Sequence, residues 1–447
     1  MIEIDVVIVG GGFSGCAVAA NLARAASQIS SLALFEPDEL GRGAAYGTRH
    51  REHLLNTRAS QMSLYPDDPD HFVRWLGSRG GPDDFVPRQL YGEYVGEIAR
   101  RVFERPRFGQ VRARVTSVRR WAGGGFIVES TSGACFGARN VVLASGHLPP
   151  GDDFLPLEVL LHPGYVSDPW RFDYRAVAGD VFVIGAGLTA MDVLVGLKAS
   201  GHRGMVHVLS RNGRFPNVHA QVAPYDVIPA LDTSGTAALL HSLRRHVDEA
   251  AQRGFDWRAV LDALRSEADA IWRRLSPVEQ SRFERHLRSY WERHRHRAPQ
   301  RVDAVREEYA RAGRLRHHAG KLTRMKDGEA TIVLRGDSGR VTVRPDWIVN
   351  CSGFRQAARM SRDPLLGSML ADGLVSRDQG GRGLRATPDL RAIDQDGNRV
   401  PGLFVVGPPA RGSRFEATAV PELRVMADLA AHDIIQRLRR EAALLGA

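Results

Sequence analysis

The stretch Val6-Val7-Ile8-Val9-Gly10-Gly11-Gly12-Phe13-Ser14-Gly15 decides the fold class of the N-terminal part of this chain. Its four β-branched apolar residues predict a buried strand, and the glycines that follow predict a tight turn into a helix. The first glycine of such a motif permits the turn, the second lets a pyrophosphate approach, and the third allows close helix–strand packing. The free N–H groups at the start of the helix favour an anion.

The next predicted strand ends in the acid that a dinucleotide site requires. Residues 31–35 form this strand, and Glu36 follows 21 positions after Gly15. An acid about 20 residues after the turn accepts hydrogen bonds from a ribose. A glycine-rich turn without a ligand is the alternative, but it does not explain why strand, turn, helix and acid coincide. The candidate cofactor contacts here are Gly10, Gly12, Phe13, Ser14, Gly15 and Glu36.

A second unit of the same type begins at Asp180. Residues 181–184 predict a strand, and Gly185-Ala186-Gly187-Leu188-Thr189-Ala190 predicts the turn into a helix. The second strand of this unit ends in Ser210-Arg211, where the first unit has an acid. A hydroxyl and a guanidinium suit a ribose 2′-phosphate better than a free 2′-hydroxyl, although Arg211 could also be an exposed loop charge. The candidate contacts are Gly185, Gly187, Leu188, Thr189, Ser210 and Arg211.

Two such sites in one chain have a chemical logic, because one cofactor can be held while the other delivers a hydride. The Glu36 site fits FAD and the Arg211 site fits NADPH rather than NADH. We therefore expect an α/β protein with two Rossmann-like dinucleotide-binding domains. The expected boundaries are residues 1–165 for the first part of the FAD-binding domain, 166–335 for the NAD(P)H-binding domain with a helical insertion at about 223–314, and 336–447 for the C-terminal part of the FAD-binding domain.

Composition excludes several other classes. The 447 residues are 43% hydrophobic and 25% charged, as in ordinary globular proteins, and no apolar run approaches the roughly 20 residues of a membrane span. The chain starts directly in a strand, which predicts no signal peptide and a cytoplasmic location. The net charge of +10 comes from Arg-rich helical segments that alternate with acids, so we expect no nucleic-acid partner and no membrane partner.

The cysteines and histidines argue against disulfides, metal sites and dithiol chemistry. The three cysteines, Cys16, Cys135 and Cys351, are far apart and form no C-x-x-C, which argues against disulfides, zinc and a dithiol relay. Each is expected to be a small core residue. The histidines lack metal-ligand spacing, so no metal is expected.

Several stretches resemble one family of flavoproteins with two dinucleotide-binding domains, the FAD/NAD(P)-binding proteins typified by bacterial YdhS-like proteins. The resemblance covers nearly the whole chain. The stretches are Ala45-Tyr46-Gly47-Thr48, His53-Leu54-Leu55-Asn56, Met62-Ser63 with Pro66-Asp67, residues 87–94, residues 291–297 and residues 416–424. This resemblance, with the strand ends at residues 144–146 and at Gly407, adds Val115, Ser145, Gly146, Ser352, Gly407 and Glu416 to the candidate cofactor contacts, together with Asn56.

The layout is also similar, more distantly, to class B flavin monooxygenases such as the ornithine and lysine N-hydroxylases. That resemblance implies a C4a-peroxyflavin, molecular oxygen and a small polar substrate, and it places Asn56, Tyr46 and Ser63 beside the flavin as candidate catalytic residues. Two departures are the absent FxGxxxHxxxW fingerprint and Gly407-Pro408 in place of the usual Gly-Asp. A flavin reductase or oxidase without oxygen transfer and a non-catalytic redox sensor are the alternatives. The substrate and the oligomeric state stay open, a homodimer being one option.

Overall fold

A computed structural model describes residues 2–25, 29–149, 151–336, 339–353 and 359–445. The chain divides into two units. Unit 1 comprises Met1–Arg49, Thr57–Pro149 and Arg355–Ala447, and unit 2 comprises His50–Asn56 and Pro150–Phe354. Each unit has its own mainly parallel sheet with helices, so the predicted α/β fold class is confirmed.

The strands, in chain order, are β1 (Ile2–Val9), β2 (Leu32–Phe35), β3 (Phe108–Val111), β4 (Val115–Arg120), β5 (Phe126–Ser130), β6 (Cys135–Leu143), β7 (Tyr165–Val166), β8 (Val181–Ile184), β9 (Val206–Ser210), β10 (Leu315–Lys326), β11 (Glu329–Leu334), β12 (Arg340–Val343), β13 (Trp347–Asn350), β14 (Arg391–Ile393) and β15 (Arg399–Val405). The α-helices are α1 (Phe13–Arg24), α2 (Gly43–Tyr46), α3 (His71–Leu76), α4 (Arg88–Phe103), α5 (Leu157–Leu160), α6 (Leu188–Ala199), α7 (Thr236–Gln252), α8 (Trp257–Ala263), α9 (Ala268–Arg274), α10 (Pro277–His286), α11 (Arg288–Arg295), α12 (Gln300–Arg311), α13 (Pro364–Ala371) and α14 (Val420–Leu445). Short 3-10 turns lie at Ala59–Gln61, Gly77–Arg79, Tyr174–Ala176, Arg265–Glu267 and Pro408–Gly412.

The sheet of unit 1 has the strand order β14-β15-β6-β1-β2-β3, and the β4–β5 hairpin joins the first half of β6. Strands β15, β6, β1, β2 and β3 are parallel, so their carboxyl ends share one edge of the sheet. Helix α1 packs against α14 and α4, and its residues from Phe13 to Ala23 are buried. The small residues of α1 permit this close packing, which fixes the start of the helix at the shared edge.

The sheet of unit 2 has the order β12-β11-β10-β9-β8-β13-β7. Strands β10, β9, β8, β13 and β7 are parallel, while β11 and β12 are antiparallel additions. Between β9 and β10 the chain forms helices α7 to α12, where the sequence predicts a helical insertion. Among the described residues, no helix has both the length and the apolar character that crossing a membrane requires.

The observed boundaries between the units differ from the predicted ones at residues 165 and 335. Strand β7 pairs with β13, and β13 pairs with β8, so these strands all belong to the sheet of unit 2. The division therefore falls near residues 149 and 354, and residues 50–56 also join unit 2. Pairing between distant segments decides which sheet receives a strand, and local patterning does not reveal that pairing. The expectation for Cys135 is wrong, because this residue is exposed at the start of β6, whereas Cys16 and Cys351 are buried.

Candidate functional site

The turn between β1 and α1 can be built only with glycine at two positions. Gly10 has φ +104°, and a Cβ there would lie 2.4 Å from the carbonyl oxygen of Ala144. A Cβ on Gly15 would lie 1.8 Å from the carbonyl oxygen of Gly10. Gly12 is less crowded, because a Cβ there would meet only the Cα of Gly43, at an ordinary contact distance of 3.6 Å. The turn therefore packs tightly on the protein side and leaves its middle glycine accessible to a ligand.

The N-terminus of α1 has no side-chain cap within the described part of the chain. Gly12 is the N-cap, and the helix has neither a side-chain cap nor an acid in its first turn. Its free N–H groups and the helix dipole therefore favour a bound anion. Gly407, with φ +81°, follows β15 at the same edge, and a Cβ there would lie 2.5 Å from the Ser14 hydroxyl oxygen. Gly407 thus packs directly on the first turn of α1.

Glu36 lies beside this turn at the carboxyl end of β2. One carboxylate oxygen accepts a hydrogen bond from the Gly11 N–H at 2.8 Å, and the other accepts one from the Asp38 N–H at 3.1 Å. These bonds fix the orientation of a carboxylate that is only half-buried. Further acceptor positions on its two oxygens can serve a ribose hydroxyl pair. The geometry fits the predicted role of Glu36.

The end of β6 contributes an unsatisfied polar atom to the same edge. The Ser145 hydroxyl oxygen is buried and has no hydrogen-bond partner among the described residues. Its Cα would lie 3.1 Å from a Cβ on Gly10, so it is adjacent to the turn, and Gly146 follows with φ +71°. An orphaned hydroxyl beside the N-terminus of α1 fits a site built for a polar cofactor. Burial and, secondarily, Arg411 lower the pKa of His147 to about 3, so its ring is neutral at neutral pH.

The other candidates in unit 1 differ in their chemical availability. Tyr46 is buried at the end of α2, and burial raises the pKa of its hydroxyl above the ordinary value. The Ser63 hydroxyl is fully buried, donates to the Asp68 carbonyl at 2.6 Å and accepts from the Tyr65 N–H at 3.1 Å. That hydroxyl is therefore committed to its own loop. Glu416 is buried before α14, and Val115 is buried at the start of β4.

Asn56 belongs to a short segment that packs within unit 2. The His219 ring nitrogen lies 2.9 Å from the Asn56 carbonyl oxygen, and His50 lies 2.7 Å from the Phe172 carbonyl oxygen in the same way. The rings of His50 and Tyr174 have centroids 4.8 Å apart. Residues 50–56 are thus anchored at both ends, and the Asn56 side chain stays half-buried.

The turn between β8 and α6 repeats the construction of the first turn. Gly185 has φ +113°, and a Cβ there would lie 2.2 Å from the Cys351 carbonyl oxygen and 3.0 Å from the Ser352 nitrogen. Gly187 is the N-cap of α6 and has nothing within 4 Å of a Cβ position. Helix α6 likewise has no side-chain cap and no first-turn acid within the described residues. Leu188 and Thr189 are half-buried in that first turn.

Ser352 follows β13 next to this second turn. Its backbone N–H and its hydroxyl both donate to the Asn350 side-chain oxygen, at 3.1 and 2.7 Å. Ser352 therefore belongs to unit 2, whereas the sequence-based boundaries place it in the C-terminal part of the FAD-binding domain. Its position beside Gly185 makes it a candidate contact for the second dinucleotide.

A basic cavity opens at the end of β9. Its volume is about 460 Å³, and it is lined by Arg211, Asn212, Glu284, Arg285, Ser289, Gly320, Lys321, Thr323, Val333, Leu334 and Arg335. Asn212 connects its walls, because it donates to the Ser289 hydroxyl at 2.9 Å and accepts from Arg335. Ser210 lies beside it, with its hydroxyl 3.1 Å from the His317 ring nitrogen. Four cationic side chains against one carboxylate make this cavity suited to an anion.

Sequence reasoning identifies Arg211 but misses its companions. Arg285, Lys321 and Arg335 come from α10, β10 and the end of β11, and only folding brings them together. Among the described residues, no group of three or more His, Cys, Asp or Glu side chains could hold a metal ion.

Comparison with known proteins agrees with this geometry. Residues 7–148 match the family model described as FAD-NAD(P)-binding, so the N-terminal part of the chain contains an FAD/NAD(P)-binding domain. None of the curated proteins matches the chain in sequence.

Several solved structures share the fold over nearly their whole length. An ornithine N-hydroxylase from Kutzneria sp. 744, with reduced FAD, NADP+ and L-ornithine, is 18% identical with a TM-score of 0.63, covering 97% of this chain and 99% of its own. L-lysine 6-monooxygenase from Pseudomonas syringae is 20% identical with a TM-score of 0.62, covering 98% and 99%. Bacillithiol disulfide reductase from Bacillus cereus is 17% identical with a TM-score of 0.58, covering 97% and 99%. At such identities these similarities show that the chain shares the fold of those proteins.

Proposed function

We propose that this protein is an FAD-dependent, NADPH-driven monooxygenase that hydroxylates a small polar metabolite. The observation that carries the proposal is that two helices without a side-chain cap at their N-termini, within the described residues, each lie beside a strand end, and that these two strand ends carry opposite charges. The edge in unit 1 carries the Glu36 carboxylate, and the edge in unit 2 carries Arg211 and the basic cavity. The first suits the adenosine ribose of FAD, and the second suits the 2′-phosphate of NADPH.

Each cofactor would be held by groups already in position. The N–H groups at the start of α1 would donate to the FAD pyrophosphate, with Ser145 and Gly407 beside them, and Glu36 would accept from the ribose. The start of α6 would hold the NADPH pyrophosphate, and Arg211 would bind its 2′-phosphate. Bound FAD supplies the redox chemistry, namely hydride acceptance from NADPH and reaction with oxygen. One oxygen atom would enter the substrate and the other would leave as water.

Two observations favour oxygen transfer over a dithiol-based reduction. The chain has no C-x-x-C, and its three cysteines lie at positions 16, 135 and 351. Burial raises the pKa of the Cys16 thiol to about 12 and also raises that of Cys351, so neither provides a thiolate. N-hydroxylating enzymes are among the structural neighbours that share the fold. Tyr46 of unit 1 is a candidate residue beside the flavin, and Asn56 of unit 2 stays a candidate from the resemblance alone. The case for Ser63 is weaker, because its hydroxyl serves its own loop.

The test is a stoichiometry. The purified, FAD-loaded protein is given NADPH, oxygen and a panel of small polar amines and thioethers, and NADPH consumption is compared with hydroxylated product and with hydrogen peroxide. Product formed in proportion to NADPH supports the proposal. Peroxide in proportion to NADPH with every compound would instead make the protein an oxidase. No reduction of the flavin by NADPH under anaerobic conditions would point to a redox sensor.

A further inference from the structure

Two tyrosines on helix α4 have similar surroundings but opposite hydrogen-bonding states. Tyr91 and Tyr94 are both fully buried. The Tyr94 hydroxyl accepts from the Leu64 N–H at 3.2 Å and lies 2.8 Å from the His71 ring nitrogen. The Tyr91 hydroxyl has no hydrogen-bond partner among the described residues. A buried hydroxyl without a partner destabilises the protein that carries it, so its presence needs an explanation.

The elements around Tyr91 are those that build the FAD cradle. Its ring stacks on Phe13, the first residue of α1, with centroids 6.1 Å apart. It also contacts the edge of Tyr46, at 4.7 Å, in the short helix α2. That helix begins at Gly43, where a Cβ would lie 3.2 Å from the Cα of Gly12 in the turn. Tyr91 is therefore enclosed by the β1–α1 turn and the loop that lies over it.

Burial keeps the Tyr91 hydroxyl protonated. Burial raises the pKa of the Tyr91 hydroxyl well above its ordinary value, and Tyr46 and Tyr94 raise it further, while the positive charge of Arg424 acts in the opposite direction. Arg424 is the fifth residue of α14 and follows Leu423, whose side chain would lie 3.7 Å from a Cβ on Gly407. The hydroxyl is thus a neutral donor in unit 1, on a ring that packs against Phe13 at the start of α1 and against Tyr46.

We propose that the Tyr91 hydroxyl donates a hydrogen bond to an oxygen atom of bound FAD. The inference rests on the proposed function in one respect, that unit 1 binds FAD. The aromatic cluster fixes the ring, so the hydroxyl loses little freedom when the cofactor enters. The unsatisfied donor of the FAD-free protein becomes satisfied in the holoprotein, and FAD binding relieves the penalty.

The experiment compares Tyr91→Phe with Tyr94→Phe as a matched control. Both variants remove one hydroxyl from the same face of α4 and leave the ring. The apparent Tm is measured on FAD-free protein, and the FAD dissociation constant is measured by quenching of flavin fluorescence.

For Tyr91→Phe we expect the Tm of the FAD-free protein to rise by about 1–2 °C, because an unsatisfied group is removed. FAD should bind about tenfold more weakly. Tyr94→Phe should lower the Tm of the FAD-free protein and leave FAD affinity within about twofold, because its hydroxyl bonds within the protein. The opposite signs of the two Tm shifts separate a ligand-directed hydroxyl from a structural one.

Unchanged FAD affinity in Tyr91→Phe would overturn the inference and leave the proposed function intact. A lowered Tm of FAD-free Tyr91→Phe would also overturn it, because the hydroxyl would then be satisfied without the cofactor. Failure of the unsubstituted protein to bind FAD at all would overturn the proposed function and this inference together.

Discussion

The β1–α1 turn of unit 1 and the β8–α6 turn of unit 2 have the same backbone geometry. They differ in the residues at the end of the strand that follows each helix. Gly10 and Gly185 have φ values of +104° and +113°, and each would bring a Cβ against a carbonyl oxygen of the neighbouring strand, at 2.4 and 2.2 Å. Gly12 and Gly187 both cap their helices in extended conformation, and a Cβ would meet nothing within 4 Å at Gly187 and only the Cα of Gly43, at 3.6 Å, at Gly12. Among the described residues, neither α1 nor α6 has a side-chain cap or an acid in its first turn. The steric part of the design is therefore the same in both units.

The differences lie at the third glycine and at the end of the second strand. Gly15 of unit 1 leaves no room for a methyl group, whereas Ala190 of unit 2 carries one and is fully buried. Glu36 presents a carboxylate where Ser210 and Arg211 present a hydroxyl and a cation. Packing of helix on strand can thus vary between the units without loss of the turn. In the proposed function, the residue after the second strand determines which cofactor fits.

The largest expected effect comes from giving the third glycine position of unit 1 the alanine that unit 2 has there. Gly15→Ala places a methyl group 1.8 Å from the Gly10 carbonyl oxygen. We expect the free energy of unfolding to fall by about 3 kcal/mol or more, with loss of FAD. The reverse exchange, Ala190→Gly, should cost only about 1 kcal/mol, because it removes a methyl and lowers helix propensity. Urea unfolding curves and the flavin content of the purified protein measure both. A Gly15→Ala protein that keeps its flavin would break the comparison.

Substitution of Glu36, the acid proposed to bind the FAD ribose, should give the next largest effect. Glu36→Gln removes the charge that accepts from Gly11 and, as proposed, from the FAD ribose. We expect FAD to bind about 10- to 100-fold more weakly, because hydrogen bonds to a charged group contribute about 1.5–3 kcal/mol. NADP+ affinity should not change. Glu39→Gln is the control, since that exposed acid pairs only weakly with Arg42 across 3.3 Å. Calorimetric titration with each cofactor distinguishes the two outcomes, and equal losses for both would contradict a role confined to unit 1.

Substitution of Arg211 in unit 2 tests the same comparison on the proposed NADPH side. Arg211→Ala should raise the KM for NADPH about five- to tenfold and leave the KM for NADH unchanged, because only NADPH carries the 2′-phosphate. The effect is smaller than at Glu36, because Arg211 is exposed and Arg285, Lys321 and Arg335 share its cavity. Arg324→Ala, in the same strand as Lys321 but outside the cavity lining, is the matched control. A parallel loss with NADH would show that Arg211 acts on a part common to both cofactors.

Features of the fold and of the candidate site could be predicted from sequence where they depend on residues close together in the chain, and not where they depend on distant segments. The strand–turn–helix units at Gly10 and Gly185 and the acid at Glu36 are local patterns, so residues close in sequence predict them. The membership of β13 is decided by pairing with β7 and β8, which no local pattern encodes. The basic cavity likewise needs three separate segments brought together.

Sequence also does not reveal which buried side chains find a hydrogen-bond partner. Nothing in the stretch from Tyr91 to Tyr94 distinguishes the two hydroxyls, although Leu64 and His71 satisfy only the second. The single sequence signal near this site is the glycine pair at 92 and 96, which lets the loop around Gly41 lie directly on α4.

The smallest expected effect concerns a histidine that each unit keeps neutral. The pKa of His147 in unit 1 is lowered to about 3, mainly by burial, and that of His317 in unit 2 to about 4, by burial and then by His318 and Arg306. Unfolded histidine has a pKa of about 6.5, so between about pH 6.5 and these lower values the unfolded chain binds more protons than the folded one. Stability is therefore complete above about pH 6.5 and declines as the pH falls below it. His147→Gln and His317→Gln should each flatten the fall in Tm between about pH 7 and about pH 5, whereas the exposed His286→Gln should leave it unchanged. If the fall in Tm kept its full slope in His147→Gln and in His317→Gln, the two rings would not be held neutral in the folded protein. The two units would then not be alike in keeping a histidine neutral.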